Sequence, residues 1–226
     1  MSLALPVNFT PETLGIIGVT LRMSLASAFI ASMIGTAFGL LLEKKRFPGR
    51  PVVIRLCRTL MGTPPVVAGL VVYLLLMRRG PFGSWGLLFT VQAMVIAQVF
   101  IITPIVAGMV HSSASRLAPA IRAFGKTMGA NPVQTQVLLI REMRGEIYFA
   151  LIAAFSRAIS EVGAVMIVGG NIQHRTRTMT KAISMLRNTG DFAQGITLGI
   201  LLLLIAFILQ SLSDLLHKGQ APEENL

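Results

Sequence analysis

Long runs without charge set the limits on how this chain can fold. Five stretches, roughly residues 14–42, 59–77, 87–110, 147–168 and 192–212, are strongly apolar with few or no charged residues. Wound into an α-helix, about 20 such residues match the hydrocarbon thickness of a bilayer. The expected fold is an all-α membrane protein, a single transmembrane domain over residues 1–226 with about five spans. Composition agrees: 54% of residues are hydrophobic and 13% charged, where a soluble domain carries about a quarter charged. A net charge of +11 would suit nucleic acid in a polar chain. In so apolar a chain, basic residues flanking membrane spans explain it better, and no nucleic-acid partner is expected.

Other chemistry is thin. Cys57 is the single cysteine, so no internal disulfide and no cysteine metal site is expected. His111, His174 and His217 lie far apart, at or beyond the ends of apolar runs. Residues 1–8 carry no basic residue, and the first apolar run is too long for a signal peptide, so it is expected to stay as a span. Thr10-Pro11-Glu12 before it fits an N-cap, a first-turn proline and an acid on the helix dipole. The tail from His217 is polar and expected to fray.

Loop charges predict orientation. Lys44, Lys45, Arg46, Arg50, Arg55 and Arg58 follow the first span, and Arg116, Arg122, Lys126, Arg141 and Arg144 follow the third; Lys218 lies on the same side. Arg78, Arg79, Arg175, Arg177, Lys181 and Arg187 lie on the other. The excess places the N-terminus outside and the C-terminus in the cytoplasm.

The loop 111–146 then faces the cytoplasm and is too long for a simple turn. Pro119 is placed near the start of one short helix; Gly129 and Asn131-Pro132 end it, and a second helix runs from Pro132. The pair would form a knob projecting from the membrane. Within it, Gly125-Lys126-Thr127 resembles the end of a phosphate-binding P-loop. The earlier glycine is missing at Ala120 and no strand precedes it, so no ATP site is expected on this chain.

"AFGKTMGANPVQTQVLLIRE", residues 123–142, resembles the cytoplasmic EAA loop of ABC importer permeases. The family's usual glutamate falls here at Ala123, and its later proline at Glu142. Residues 159–183, "ISEVGAVMIVGGNIQHRTRTMTKAI", resemble the corresponding stretch of molybdate, tungstate and sulfate permeases. "GTPPVVAGLVVYLLL" and "GLLFTVQAMVIAQVFIITPIVAG" resemble spans two and three of the tungstate branch. The resemblance implies a type I importer-like assembly. Two copies would form a homodimer, with two cytoplasmic ABC ATPase subunits holding ATP and Mg and an extracytoplasmic protein delivering an oxyanion, most closely tungstate. Molybdate or sulfate is the alternative cargo, and a membrane-embedded enzyme or a channel the alternative of another class. Arg122, Ala123, Gly125, Lys126, Gly129, Ala130 and Asn131 would meet the ATPase. Small residues there permit close backbone approach, and the two cations could meet acidic groups on the partner. The bland alternative is an amphipathic helix lying on anionic lipid.

No catalytic residue is expected. Glu161 falls inside the fourth span, where an acid costs about 2.5–3.5 kcal/mol, so it should face protein or water. It would repel a dianion, and is expected to pair with Arg157, four residues earlier, or with Arg22. With Ser160 and Gly163 beside it, and with Thr63-Pro64-Pro65 at the entry of the second span, it marks a candidate pathway or gate. Thr103-Pro104 is either a bend beside that pathway or a packing kink. Asn171 and Arg175 open a basic outer loop with Arg177, Lys181 and Arg187, read as an outer gate, a docking surface or a row of lipid anchors. Met179, Ala182, Ile183 and Leu186 give that loop an amphipathic piece. Gly35 and Gly39 allow close helix approach in the first span.

Overall fold

A computed structural model of the chain describes residues 11–45 and 47–218, with side chains to 211. Every regular element among them is helical: α1 (Pro11–Lys44), α2 (Arg50–Met61), α3 (Pro65–Leu76), α4 (Val91–Thr127), α5 (Pro132–Glu142), α6 (Arg144–Ser160), α7 (Gly163–Gly169), α8 (Met179–Thr189) and α9 (Phe192–Lys218), with a short 3₁₀ turn at Gly83–Trp85. α1 starts on Pro11 with Glu12 in its first turn. The expected Thr10 cap, Arg46, and the tail beyond Lys218 lie outside the described residues.

The frame is a pair of long rods. α1 has 34 residues and α4 has 37, about 50 and 55 Å at 1.5 Å per residue. Both exceed the roughly 30 Å core of a bilayer. In each, one window of 20 residues carries no charge, 23–42 in α1 and 91–110 in α4. The rods pack side by side in parallel, with those windows offset by about three residues, roughly 4.5 Å. Ser27 hydrogen-bonds Gln98. A Cβ on Gly35 would sit 2.7 Å from the Val106 Cβ, and one on Gly39 2.7 Å from the Ala107 carbonyl oxygen. Gly35 and Gly39 therefore serve packing within one chain. Residues 11–22 of α1 protrude at one end of the bundle, and 111–127 of α4 at the other.

That protrusion differs from the expected knob, in which Pro119 opened a new helix after residue 110. α4 instead runs unbroken through Pro104 and Pro119. Around Pro119, Ala114 and Ala118 are fully buried in a cluster with Leu139, Met143 and Ala150. Side-chain burial there outweighs the hydrogen bond the proline removes. His111 is inside α4 and 8% exposed.

The second and fourth expected spans are broken. α2 and α3 meet at 109° across the Gly62-Thr63-Pro64 corner, and α6 and α7 at 60° across Glu161-Val162. Pro64 is extended, at φ −57° and ψ 129°, because the residue before a proline is pushed out of the α region. α3 is left with 12 residues. α2 turns aside and packs along α4. Its Cys57 faces inward, whereas Val52 and Leu56 are exposed beside Arg55 and Arg58, the pattern of a helix lying at a membrane surface. By length and composition α1, α4 and α9 each suffice to cross a bilayer, and the two bent pairs raise the number to five. α9 touches α6 and α8 and leaves Leu203, Leu204, Phe207 and Ile208 exposed, a surface suited to lipid or to another chain.

Candidate functional site

The knob is built where α4 turns into α5. Gly129, at φ +68°, takes the left-handed conformation that favours glycine. The Ala130 N–H donates to the Gly125 carbonyl at 2.8 Å, closing the end of α4. Gly125 itself is buried, and a Cβ there would meet Thr135 Oγ1 at 2.8 Å. The Asn131 side chain accepts from the Gln134 N–H and the Gln134 side chain accepts from the Asn131 N–H, both at 2.8 Å. This reciprocal capping box, followed by Pro132, launches α5. Ala123 and Lys126 are exposed. Arg122 is half-exposed, but its guanidinium is 2.7 Å from Glu43, whose carboxylate is 6% exposed. That pair clips the knob to the end of α1.

The sequence reading overlooked the apolar crown of this knob. Phe124, Met128, Val133 and Val137 are 57, 69, 68 and 54% exposed, with Lys126 and Arg141 among the exposed residues beside them. The signal was available: Val133, Val137 and Ile140 repeat at i, i+4 and i+7 on α5, and Ile140 is also exposed.

About 30 residues of helix away, the two breaks face each other. A Cβ on Gly163 would lie 3.0 Å from Val66 Cγ2, and one on Gly69 2.5 Å from Ala164 Cα. Thr63-Pro64-Pro65 and Ser160-Glu161-Val162-Gly163 are thus brought together through α3 and α7. Glu161 has left the helix, at φ −73° and ψ 127°. Its side chain is 5% exposed; Oε1 accepts from the Ala164 N–H at 3.3 Å, and Oε2 lies 3.4 Å from Arg157. Of the two expected partners the structure shows Arg157. Arg22 instead lines a separate cavity of about 320 Å³ with Glu12, His174 and Arg177. Arg157 is 38% exposed; Ser156 and Ser160, both exposed, lie beside it on α6.

At the far end, the basic loop is less positive than its sequence. Arg177 reaches Glu12 at 3.0 Å and the Asn171 side chain at 3.2 Å. Lys181 is wholly buried at the base of α8, where its amine donates to the Gly170 carbonyl at 2.6 Å and the Thr176 carbonyl at 3.0 Å, 3.6 Å from Met94 Sδ. Thr20 accepts the Met179 N–H at 2.9 Å, tying α8 to α1. Arg175 and Arg187 remain exposed. Lys181 is therefore a plug, and the lipid-anchor reading does not apply to it. Burial lowers its pKa from 10.5 to about 7. Between those values the unfolded chain holds a proton that the folded chain lacks, so stability rises with pH across that window. The melting temperature of the purified chain is expected to climb between about pH 7 and pH 9, and to climb less in Lys181→Met. Parallel slopes would refute a buried neutral amine.

A further cavity of about 420 Å³ lies between α2, α4 and α6, lined by Cys57, Arg58, His111 and Glu146 among others. Glu146 is taken up by Arg116 at 3.1 Å and Ser113 at 3.0 Å. Among the described residues no group of three His, Cys, Asp or Glu side chains is placed to hold a metal ion.

Comparison with known proteins gives a consistent result. The family described as "Binding-protein-dependent transport system inner membrane component" matches residues 35–221. The chain is 39% identical to the tungstate uptake system permease protein TupB of Peptoclostridium acidaminophilum, over 93% of this chain and 92% of that one. It is 37% identical to TupB of Campylobacter jejuni, over 71% of this chain and 67% of that one. The sulfate transport system permease protein CysW of Escherichia coli is 26% identical over 92% of this chain and 74% of its own. Among solved structures, an amino acid ABC transporter described with histidines has the same fold, with a TM-score of 0.72 at 16% identity, covering 96% of this chain and 98% of that one.

Proposed function

The chain belongs to the family of binding-protein-dependent transport system inner membrane components, and on that basis we propose that the cargo of this multi-pass ABC importer permease is tungstate. The carrying observation is the identity gradient: 39% with a tungstate permease over 93% of the chain against 26% with a sulfate permease over 92%. Sulfate is the second reading, because those relatives also match nearly end to end. In this reading residues 11–22 of α1 and the α8 end face outward, and the α5 knob faces the cytoplasm, as the basic loops favour.

The knob is the handle of an ATPase on another chain, which binds the ATP and Mg. Its apolar crown of Phe124, Met128, Val133 and Val137 would enter a groove on that partner. Gly125, Gly129, Ala130 and Asn131 give the corner its shape, with Ala123 and Lys126 at the partner's surface and Arg122 bracing it from Glu43. Two identical copies of the permease enclose the path, and a binding protein docks over Asn171 and Arg175. ATP-driven closure of the motor pulls the knobs together. The facing breaks at Thr63-Pro64-Pro65 and Ser160-Glu161-Gly163 are the joints that then open or close the path. Unwound backbone inside a membrane is tolerated where it meets protein or a water-filled cavity.

The test is purification of the chain from its own host in lipid, with associated ATPase turnover followed. Turnover that rises with a tungstate-loaded binding protein, and not with sulfate- or molybdate-loaded protein, is expected. Stimulation by sulfate alone would keep the transporter and change the cargo. A complex with a second, different permease chain would replace the homodimer. Absence of any ATPase would refute the handle.

A further inference from the structure

Arg157 sits where an arginine is hard to keep. The carbonyl of its neighbour Ala158 accepts from Gln98 Nε2 at 2.7 Å, which fixes its height in the bundle. Gln98 is seven residues into the uncharged window of α4, and its partner Ser27 four residues into that of α1, so Arg157 lies about 6–11 Å below the outer edge of the apolar zone. Its side chain is 38% exposed and only loosely paired, 3.4 Å from Glu161. Its buried Nε has no hydrogen-bond partner among the described residues. A guanidinium carries five donors in a rigid fork and cannot shed its charge. At this depth, facing hydrocarbon, such a group would be costly, so its open side faces water or another protein surface.

The surroundings suit an anion. Ser156 and Ser160 are exposed beside Arg157 on α6; the Ser156 hydroxyl donates to the Gln210 side chain of α9 at 3.5 Å, and the Ser160 hydroxyl to the Ser156 and Arg157 carbonyls at 3.0 and 3.1 Å. Glu161 is turned away: one oxygen caps the Ala164 N–H and the carboxylate is 5% exposed. The acid is the buried partner of the pair and the guanidinium the exposed one.

We propose that Arg157 is the anion-contacting group of the path, taking two oxygens of a tetrahedral oxyanion dianion on its guanidinium fork, with the Ser156 and Ser160 hydroxyls rotating away from Gln210 and the α6 carbonyls to donate to the others. This rests on the permease reading given above. Two copies facing one another would present two guanidinium charges to one dianion. Glu161 is a positioning residue: it holds the arginine when the site is empty and weakens the site enough for the anion to leave, as conduction requires.

The experiment uses the complete importer, permease with its ATPase and binding protein, in liposomes, and measures tungstate uptake. Arg157→Gln is expected to lower uptake at least tenfold. The deciding variant is Arg157→Gln with Glu161→Gln, which removes both charges and leaves a neutral pair of similar volume. If the two residues only brace each other, the double variant restores uptake; anion binding by Arg157 requires that it stay at least tenfold down while still co-purifying with the ATPase. Uptake within twofold of the unaltered chain would overturn the proposal. Should the double variant not assemble, Arg157→Lys decides, since lysine can pair with Glu161 but has no fork. A tenfold loss is then expected, and uptake within twofold of normal is fatal to the idea. No tungstate uptake by the unaltered complex would instead refute the cargo assignment and leave the Arg157 test to be read with sulfate.

Discussion

Gly69→Val is expected to abolish uptake and to lower the melting temperature of the permease more than any surface change. A Cβ at Gly69 would stand 2.5 Å from Ala164 Cα and 3.1 Å from both the Ala164 Cβ and its carbonyl oxygen. Two of those atoms are backbone, which no rotamer change can move aside. Overpacking of a well-filled interior costs about 1–3 kcal/mol, and here the strain falls on the seam that holds α3 against α7. Once these helices are pried apart, the two helix breaks are no longer in mutual register, so transport fails even in molecules that remain assembled. Gly18→Ala is the control: a Cβ there meets nothing among the described residues within 4 Å, and alanine favours the helix by up to about 1 kcal/mol. Thermal unfolding of both variants in detergent checks the pair. Equal melting temperatures would show that α3 and α7 do not touch as described.

The second large effect is expected at the knob. Val133→Asp and Met128→Asp place charge in an apolar crown whose members are 68 and 69% exposed in the isolated chain. Neither side chain supports the fold, so the chain should still insert and melt normally. If the crown is buried in the ATPase, each is a candidate anchor, worth about 2–4 kcal/mol, or a roughly 30- to 1,000-fold weaker complex. Titration of the purified ATPase onto permease in nanodiscs reads this directly. Unchanged affinity, together with weaker attachment of a synthetic α5 peptide to anionic vesicles, would assign the crown to lipid.

Much of this molecule was legible where local chemistry decides the conformation. The Gly129 and Asn131-Pro132 turn could be read because few other residues suit a positive φ followed by a capped helix start. The Arg157–Glu161 pair could be read from its four-residue spacing, and the permease family from the stretches at 123–142 and 159–183. What could not be read depended on partners distant in sequence. α4 passes Pro119 because Leu139 of α5, Met143 of the turn after it and Ala150 of α6 bury its alanines. The chain leaves the helix at Glu161 without a preceding proline. Lys181 looks like any loop lysine until the Gly170 and Thr176 carbonyls close on it. Arg122 looks free until Glu43, 79 residues earlier, is folded beside it. The apolar crown was a different kind of omission: its spacing was plain, but exposure is a property of the folded surface.

The close passage of α1 over α4 has a mechanical consequence. Pro104 removes a rung from the hydrogen-bond ladder of α4 and would be its natural flexing point. A Cβ on Gly35 would lie 3.0 Å from the Thr103 carbonyl oxygen, so the backbone of α1 runs directly alongside that missing rung. α1 is a splint laid across the weak place and tied further along by Glu43 to Arg122. A splinted rod transmits a push instead of absorbing it. Its knob end would meet the proposed ATPase, and its opposite end, at Met94, touches the Lys181 plug. Probes fixed at the two ends should therefore relax with one shared rate constant, the signature of a single stroke rather than a relay.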